Sequence, residues 1–442
     1  MKKSLSEAFD LKNGNWMRLL LYFLTFIWWL KTGVIQTNDT PGYWGMLPFR
    51  SAGYPIFIKI TSLFGLIHSH YPTLFIGLVL QLIAIHILVD FLKVHFNLGR
   101  FSVVALTAIF ILPDFILSVA NGDMTEVIAY PLFLFGLRLL LKAAFEKDEK
   151  AAISYFTISV LLILARSQFF FLYIVSFLLV IYLIWYSKSK IKSALSLTAL
   201  FIISIVLAPL IDRTYHLVAN HKFAPTQFTG LQLIVPALYN MQPKDTLLFK
   251  DPVEKGVLDT VLNGYKNNEL YNCKLNSGEA SENTVFRFDH LYILLQFRTT
   301  RNYLANIMAK RGMKPKDMSY WADIDKITTD ISIKLIKAHP KEYVTLYFDL
   351  LKSGMGYTPI LAMFGLVFLL SIVALFAYGN NLSILLFISC LLMILNISLI
   401  SVLEMSNPRY LFYTSYLLFA VGVMVITKYI EDGNKRETAA GL

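Results

Sequence analysis

Apolar residues fill one long stretch after another along this chain, each closed off by charged or turn-forming positions. The stretches are Trp16 to Val34, Tyr71 to Val94, Phe101 to Ala120, Val127 to Lys142, Ile153 to Ala165, Phe169 to Tyr186, Ser193 to Ile211, Pro359 to Ala377, Leu382 to Leu403 and Tyr410 to Tyr429. Because roughly 20 apolar residues cross the hydrocarbon of a bilayer as a helix, the pattern predicts about ten transmembrane helices, the fifth being short. Pro55 to Leu66 is apolar but too short to cross and opens on a proline, which suits a helix lying along the interface. Between Asp212 and Thr358 the pattern changes. An apolar piece, Phe228 to Tyr239, is followed by polar turns around Asn267 to Asn283 and a helical pattern over Ile324 to Lys337, as expected of a cap partly folded on the membrane core.

The fold class expected is therefore an all-α polytopic membrane protein in three parts. Residues 1–211 form an N-terminal transmembrane module with a first outer loop at 35–70. Residues 212–358 form the cap, and residues 359–442 form the C-terminal transmembrane helices and tail. Neither a low-complexity linker nor an internal repeat of the kind that builds two-halved transporters is evident.

Composition agrees. Hydrophobic residues make up 56% of the 442 and charged residues 16%, and the mean hydropathy of +0.58 is too high for an ordinary soluble domain. The net charge of +11 would suggest nucleic acid in a soluble protein. Here the basic residues gather in alternate connections, which makes them topology signals instead. Lys2, Lys3, Lys12 and Arg18 precede the first span, and Lys93 with Arg100, Arg138 to Lys150, Lys188 to Lys192, and Lys435 with Arg436 follow on the same face. That face is expected to be cytoplasmic. The segments 35–70, 121–126, 166–168, 212–358 and 404–409 then lie outside, in the inner membrane of a bacterium with the site facing the periplasm. The first apolar run is too long for a signal-peptide core and reads as a retained anchor. Cys273 and Cys390 fall at different depths, so a disulfide is not expected.

The short outer connections carry few charges, and those present fall near the ends of different helices: Asp39, Arg50, Lys59, Asp123, Glu126, Arg166, Glu404 and Arg409. Their convergence would make one polar cavity at the interface. Contact with headgroups accounts for any one of them, and Asp39 has a further explanation as the cap of a helix opening at Pro41.

The order of these features resembles the GT-C superfamily of polytopic glycosyltransferases, which includes protein O-mannosyltransferases and the aminoarabinose transferase of lipid A. In those families an acid follows the first membrane helix, with a nearby Tyr and a Pro-containing segment leading into interfacial helices. The matching residues here are Asp39, Tyr43 and Gly53-Tyr54-Pro55. Similar echoes are Asn121-Gly122-Asp123-Met124-Thr125-Glu126, Leu164-Ala165-Arg166, His339-Pro340 and Pro408-Arg409-Tyr410. The first loop has Asn38-Asp39 where a paired-acid pattern would have two carboxylates, so no cofactor is specified and a divalent metal stays an open alternative. The resemblance does not extend to the additional C-terminal spans and domain found in several larger members.

The resemblance implies a membrane glycosyltransferase. An outward-facing site has no soluble nucleotide sugar, so the donor it implies is a polyprenyl-phosphate sugar, with a glycolipid, glycan or protein as acceptor, membrane lipids as neighbours and no nucleic acid. Asp39 is then the candidate base for the acceptor hydroxyl and Glu126 the second acid. Arg50, Arg166 and Arg409 are candidates for the phosphate, since a guanidinium fork binds two oxygens at once. Lys59 adds a point charge, Tyr43, Trp44 and Tyr54 pack against sugar or isoprene, and Asp123, His339 and Tyr410 complete the substrate-binding set. Two other functions stay open: a transporter or flippase of a polar lipid or oligosaccharide, for which Asp90 and Asp114 are the intramembrane acids, and a polysaccharide polymerase or ligase relying on outer arginines.

Overall fold

A computed structural model describes residues 15–63, 70–186, 190–266, 288, 291–355, 358–404 and 407–440. Cys273, the expected turns at Asn267 to Asn283, and Lys2, Lys3, Lys12 and Lys188 lie outside the described residues. Helices account for nearly all of the described structure, and its single β-like feature is an isolated bridge between Ile35 and Gly122.

In chain order the N-terminal part comprises α1 (Asn15–Thr32), the short α2 (Thr40–Trp44), α3 (Gly53–Ser62), α4 (Tyr71–Phe96), α5 (Arg100–Leu117), α6 (Glu126–Glu146), α7 (Glu149–Ala165), α8 (Leu172–Tyr186) and α9 (Lys190–Asn220). Turn chemistry sets the reversals. Helix α4 stops at Asn97 and α6 at Lys147, both left-handed at φ 49° and 54°, and Asp148 then caps α7 by accepting from the Lys150 and Ala151 amides. Several boundaries differ from the apolar pattern, two of them with a clear local cause. Helix α5 ends at Leu117, not Ala120, because Ser118 turns left-handed at φ 53°. Helix α9 runs past Ile211 to Asn220, so Asp212 is a helical residue whose carboxylate accepts from the Ala52 and Thr226 amides.

The cap contains α10 (Thr229–Tyr239), α11 (Pro252–Lys266), a π-helical turn Leu294–Arg301 leading into α12 (Asn302–Lys310), α13 (Met318–Ala338) and α14 (Pro340–Gly354). Leu231, Ile234 and Val235 of α10 meet Trp321, Ile324 and Ile331 of α13 in a core of its own, and Phe49 from the first loop packs against that core. The chain then returns through α15 (Thr358–Tyr378), α16 (Asn381–Leu403) and α17 (Pro408–Ala440).

Eight of the described helical segments are long and apolar enough to cross a membrane, and the chain is an all-α polytopic membrane protein. These are α4, α5, α6, Ser167–Tyr186, Ile191–Asn220, Ile360–Tyr378, α16 and Pro408–Thr427. Their shared core draws on Leu88, Phe110, Leu134, Leu179, Leu385 and Phe412, and α7 adds Tyr155. Apolar side chains on the outside, such as Met363, Leu366, Leu370 and Val373 of α15, are left for lipid to cover. Arg18, expected to precede the first span as a topology signal, is placed differently. It lies inside α1, buried, with Nη1 2.5 Å from Asp90 on α4.

Candidate functional site

The first loop is pinned before it reaches its acid. Trp29 Nε1 donates to the Ala120 carbonyl (3.1 Å), and Asn121 Nδ2 donates to the carbonyls of Trp29 and Gly33 (2.9 and 2.7 Å). The Ile35 amide then bonds to the Asn121 carbonyl and the Asp123 amide to the Ile35 carbonyl, each at 2.9 Å. Thr40 Oγ1 donates to the Asp123 carbonyl at 2.8 Å. Loop 33–40 is thereby held alongside the connection that opens α6, which sets Asp39 near Glu126.

Glycines allow the remaining approach. A Cβ on Gly53 would stand 2.6 Å from Ala165 Cα, so only glycine lets the start of α3 close on the end of α7, where Arg166 begins. A Cβ on Gly42 would stand 2.8 Å from Arg50 Nε and 3.2 Å from the Phe49 ring, so the bare backbone of α2 is what Arg50 lies against.

Five charges then alternate in sign. Arg50 donates to Asp39 Oδ1 at 2.6 Å, and Arg409 Nη1 lies 3.8 Å from Asp39 Oδ2. Arg409 also donates to Glu126 through Nε and, at 3.2 Å, through Nη2, while Arg166 Nη1 donates to the same carboxylate. Glu126 is buried at 2% exposure, whereas Asp39, at 34%, is open to a ligand. Three arginines against two carboxylates leave one positive charge. Asp39 occupies the cap position of α2 but makes no side-chain cap bond there, so helix capping does not account for it.

Aromatic rings hold the guanidinium groups. Arg50 lies over the Tyr43 ring at 4.4 Å and the Phe49 ring at 4.6 Å, and donates to the Tyr43 hydroxyl at 3.3 Å. Arg166 lies over the Tyr410 ring at 4.6 Å. Asp123 is fully buried and occupied: its carboxylate accepts from Tyr54 (2.5 Å), from Trp44 Nε1 (2.7 Å) and pairs with His70. Burial and the neighbouring Asp123 charge hold the Tyr54 hydroxyl well above the usual phenol range, so it remains a donor.

Two candidates sit apart from this group. Lys59 is on the exposed side of α3, whose buried positions are Tyr54, Pro55, Phe57, Ile58 and Thr61. His339 is buried in the cap and bonds to Asp245 at 2.7 Å. Residues that sequence reasoning did not assign are His70, which shares Asp123, and Gln232 and Tyr292, which meet at Glu404. Glu404 accepts from Gln232 at 2.7 Å and bonds to the hydroxyls of Tyr292 and Tyr410, so the cap grips the ring that carries Arg166. A polar residue on an apolar helix, as Gln232 is on α10, was the available signal. Among the described residues no group of three or more His, Cys, Asp or Glu side chains gathers as metal ligands would.

No family model, curated protein or solved structure matches this chain.

Proposed function

We propose that this protein is a membrane glycosyltransferase that moves a sugar from a polyprenyl-phosphate donor to an acceptor hydroxyl of a glycolipid, glycan or protein. The observation that carries the reading is the alternation Arg50, Asp39, Arg409, Glu126, Arg166 at one end of the helices. It supplies an accessible carboxylate beside arginines whose net charge is matched to one phosphodiester. The acceptor oxygen bonds to the anomeric carbon while that carbon's bond to the phosphate oxygen breaks. The acceptor proton passes to Asp39, and the electron pair leaves on the prenyl phosphate, held by Arg166 and Arg409. Arg50 exchanges between Asp39 and the phosphate. Glu126 fixes two arginines, Asp123 fixes the aromatic wall, and Tyr410 supports Arg166.

In this reading α1 and α7 cross the bilayer with the other eight. Trp16, Leu20, Phe23, Ile27 and Leu30 form an exposed apolar stripe along α1, the surface lipid covers. Both termini are cytoplasmic, and the cap faces the periplasm of a bacterial inner membrane. Transport is less well supported by the intramembrane acids, because Asp114 is bonded by Gln81 and the Ala120 amide and Asp90 by Arg18.

The test is to incubate purified protein in lipid nanodiscs with a panel of radiolabelled polyprenyl-phosphate sugars. Transfer or hydrolysis from at least one donor, absent in Asp39→Asn, is expected. No turnover of any donor, together with movement of a lipid-linked oligosaccharide across proteoliposomes, would replace the reading with transport.

A further inference from the structure

The π-helical turn Leu294–Arg301 ends on an arginine with no carboxylate paired to it among the described residues. Arg301 lies over the Trp321 ring at 5.2 Å and the Phe297 ring at 5.6 Å. Trp321 is buried, and its ring is 4.3 Å from that of Phe49, which in turn lies under the guanidinium of Arg50. Arg301 and Arg50 thus flank one aromatic pair at the seam between cap and first loop. Burial lowers the Arg301 pKa, and an anion beside the guanidinium would offset that desolvation. π-Turns cost backbone geometry and occur frequently at functional sites.

Charge matching points to the anion. The five-group chain carries one net positive charge, equal and opposite to a phosphodiester, and Arg301 raises it to two. We infer that Arg301 and Arg50 form a second phosphate seat beside that of Arg166 and Arg409, and that the lipid-linked donor carries a diphosphate spanning both. The inference rests on the donor reading above and narrows it. The leaving group becomes a prenyl diphosphate, with its distal phosphate on the cap side.

Binding of farnesyl phosphate and farnesyl diphosphate to the purified full chain tests this, using wild type, Arg301→Gln and Arg409→Lys. One additional charge-assisted contact predicts a preference for the diphosphate of roughly tenfold or more. Arg301→Gln should erase that preference while leaving monophosphate affinity and melting temperature unchanged, and Arg409→Lys should weaken both ligands. Equal affinity for the two probes in wild type, or equal loss of both in Arg301→Gln, overturns the second seat and leaves the donor reading standing. Wild type that binds neither probe overturns both. Arg301-dependent binding of inorganic phosphate to protein saturated with farnesyl phosphate, without a diphosphate preference, would overturn the diphosphate donor and assign the seat to a phosphate on a second molecule.

Discussion

Arg409 and Glu126, 283 residues apart in the chain, meet side-on, with Nε and Nη2 of the guanidinium directed at the two carboxylate oxygens. The pair joins the start of α17 to the start of α6, and Arg166 closes on the same carboxylate from the end of α7. Three helix ends are thus fixed by one buried acid. The remaining edge of Arg409 is left to face Asp39, which is how a structural ion pair also orients a group at the accessible carboxylate.

Replacing Glu126 leaves the largely buried Arg166 without its carboxylate and Arg409 with Asp39 alone. Removing one partner of a buried pair costs about 3–5 kcal/mol, because the remaining charge is desolvated without compensation. Glu126→Gln should therefore lower the melting temperature of the detergent-solubilised protein markedly. Adding Arg166→Met should recover part of the loss, and additive losses in the double variant would show that the two residues are not coupled.

Gly53→Ala places a methyl group against backbone atoms of Ala165 and Leu164, which cannot rotate away. The start of α3 must separate from the end of α7, carrying the first loop away from Arg166. Both thermal stability and donor binding should fall. Gly365→Ala, where an added Cβ meets nothing within 4 Å, is the matched control and should be neutral or slightly stabilising. Similar behaviour of the two variants would refute the close-approach argument.

The arginines should not tolerate lysine. Arg50→Lys and Arg166→Lys each lose a planar group stacked on a tyrosine, and Arg409→Lys loses the two-pronged contact with Glu126. Each change keeps the charge, so donor binding weakened by roughly tenfold or more would report geometry and not charge alone. Unchanged affinity in all three variants would remove them from the phosphate site.

Eight of the expected spans were legible because long apolar runs have few structural solutions, and the gathering of Asp39, Arg50, Glu126, Arg166 and Arg409 was legible because the short connections at that end of the helices are otherwise nearly free of charge. Which acid meets which arginine was not. That depends on how α6, α7 and α17 are arranged, and nothing local in the sequence encodes it. That Lys59 lies on the exposed side of α3 was legible from helical phase, since the buried positions Tyr54, Phe57, Ile58 and Thr61 recur on another face. The partner of His339 lies 94 residues earlier, and no periodicity reveals such a pair. Arg301 was hidden for another reason: a π-turn shifts the phase on which amphipathic reading depends.

Topology can be read by cysteine labelling in a background with Cys273 and Cys390 replaced by serine. Leu247→Cys, on an exposed position of the cap, should react in intact cells with an impermeant maleimide, and Lys150→Cys, beside the cap of α7, only after the membrane is opened. The opposite pattern would invert the protein and put the site on the side where soluble nucleotide sugars are present.

Asp39 is expected to be essential to turnover while contributing little to the fold. Its carboxylate is the accessible one of the pair, it makes no cap bond to α2, and its contacts are the guanidinium groups of Arg50 and Arg409. Asp39→Asn preserves size and retains an oxygen that can accept from Arg50, but it cannot take the proton of an attacking hydroxyl. General-base catalysis predicts a fall in turnover on the order of 100-fold or more. Because the amide oxygen still accepts from the part-buried Arg50, the melting temperature should move little. Donor affinity separates this from a binding role: a base lost without displacing the arginines lowers kcat without weakening farnesyl phosphate binding. A well-folded Asp39→Asn protein with unaltered transfer would exclude Asp39 as the base. Glu126 would be a poor replacement, because its carboxylate is buried and already engaged by two arginines, and the search would turn to the acceptor's own groups.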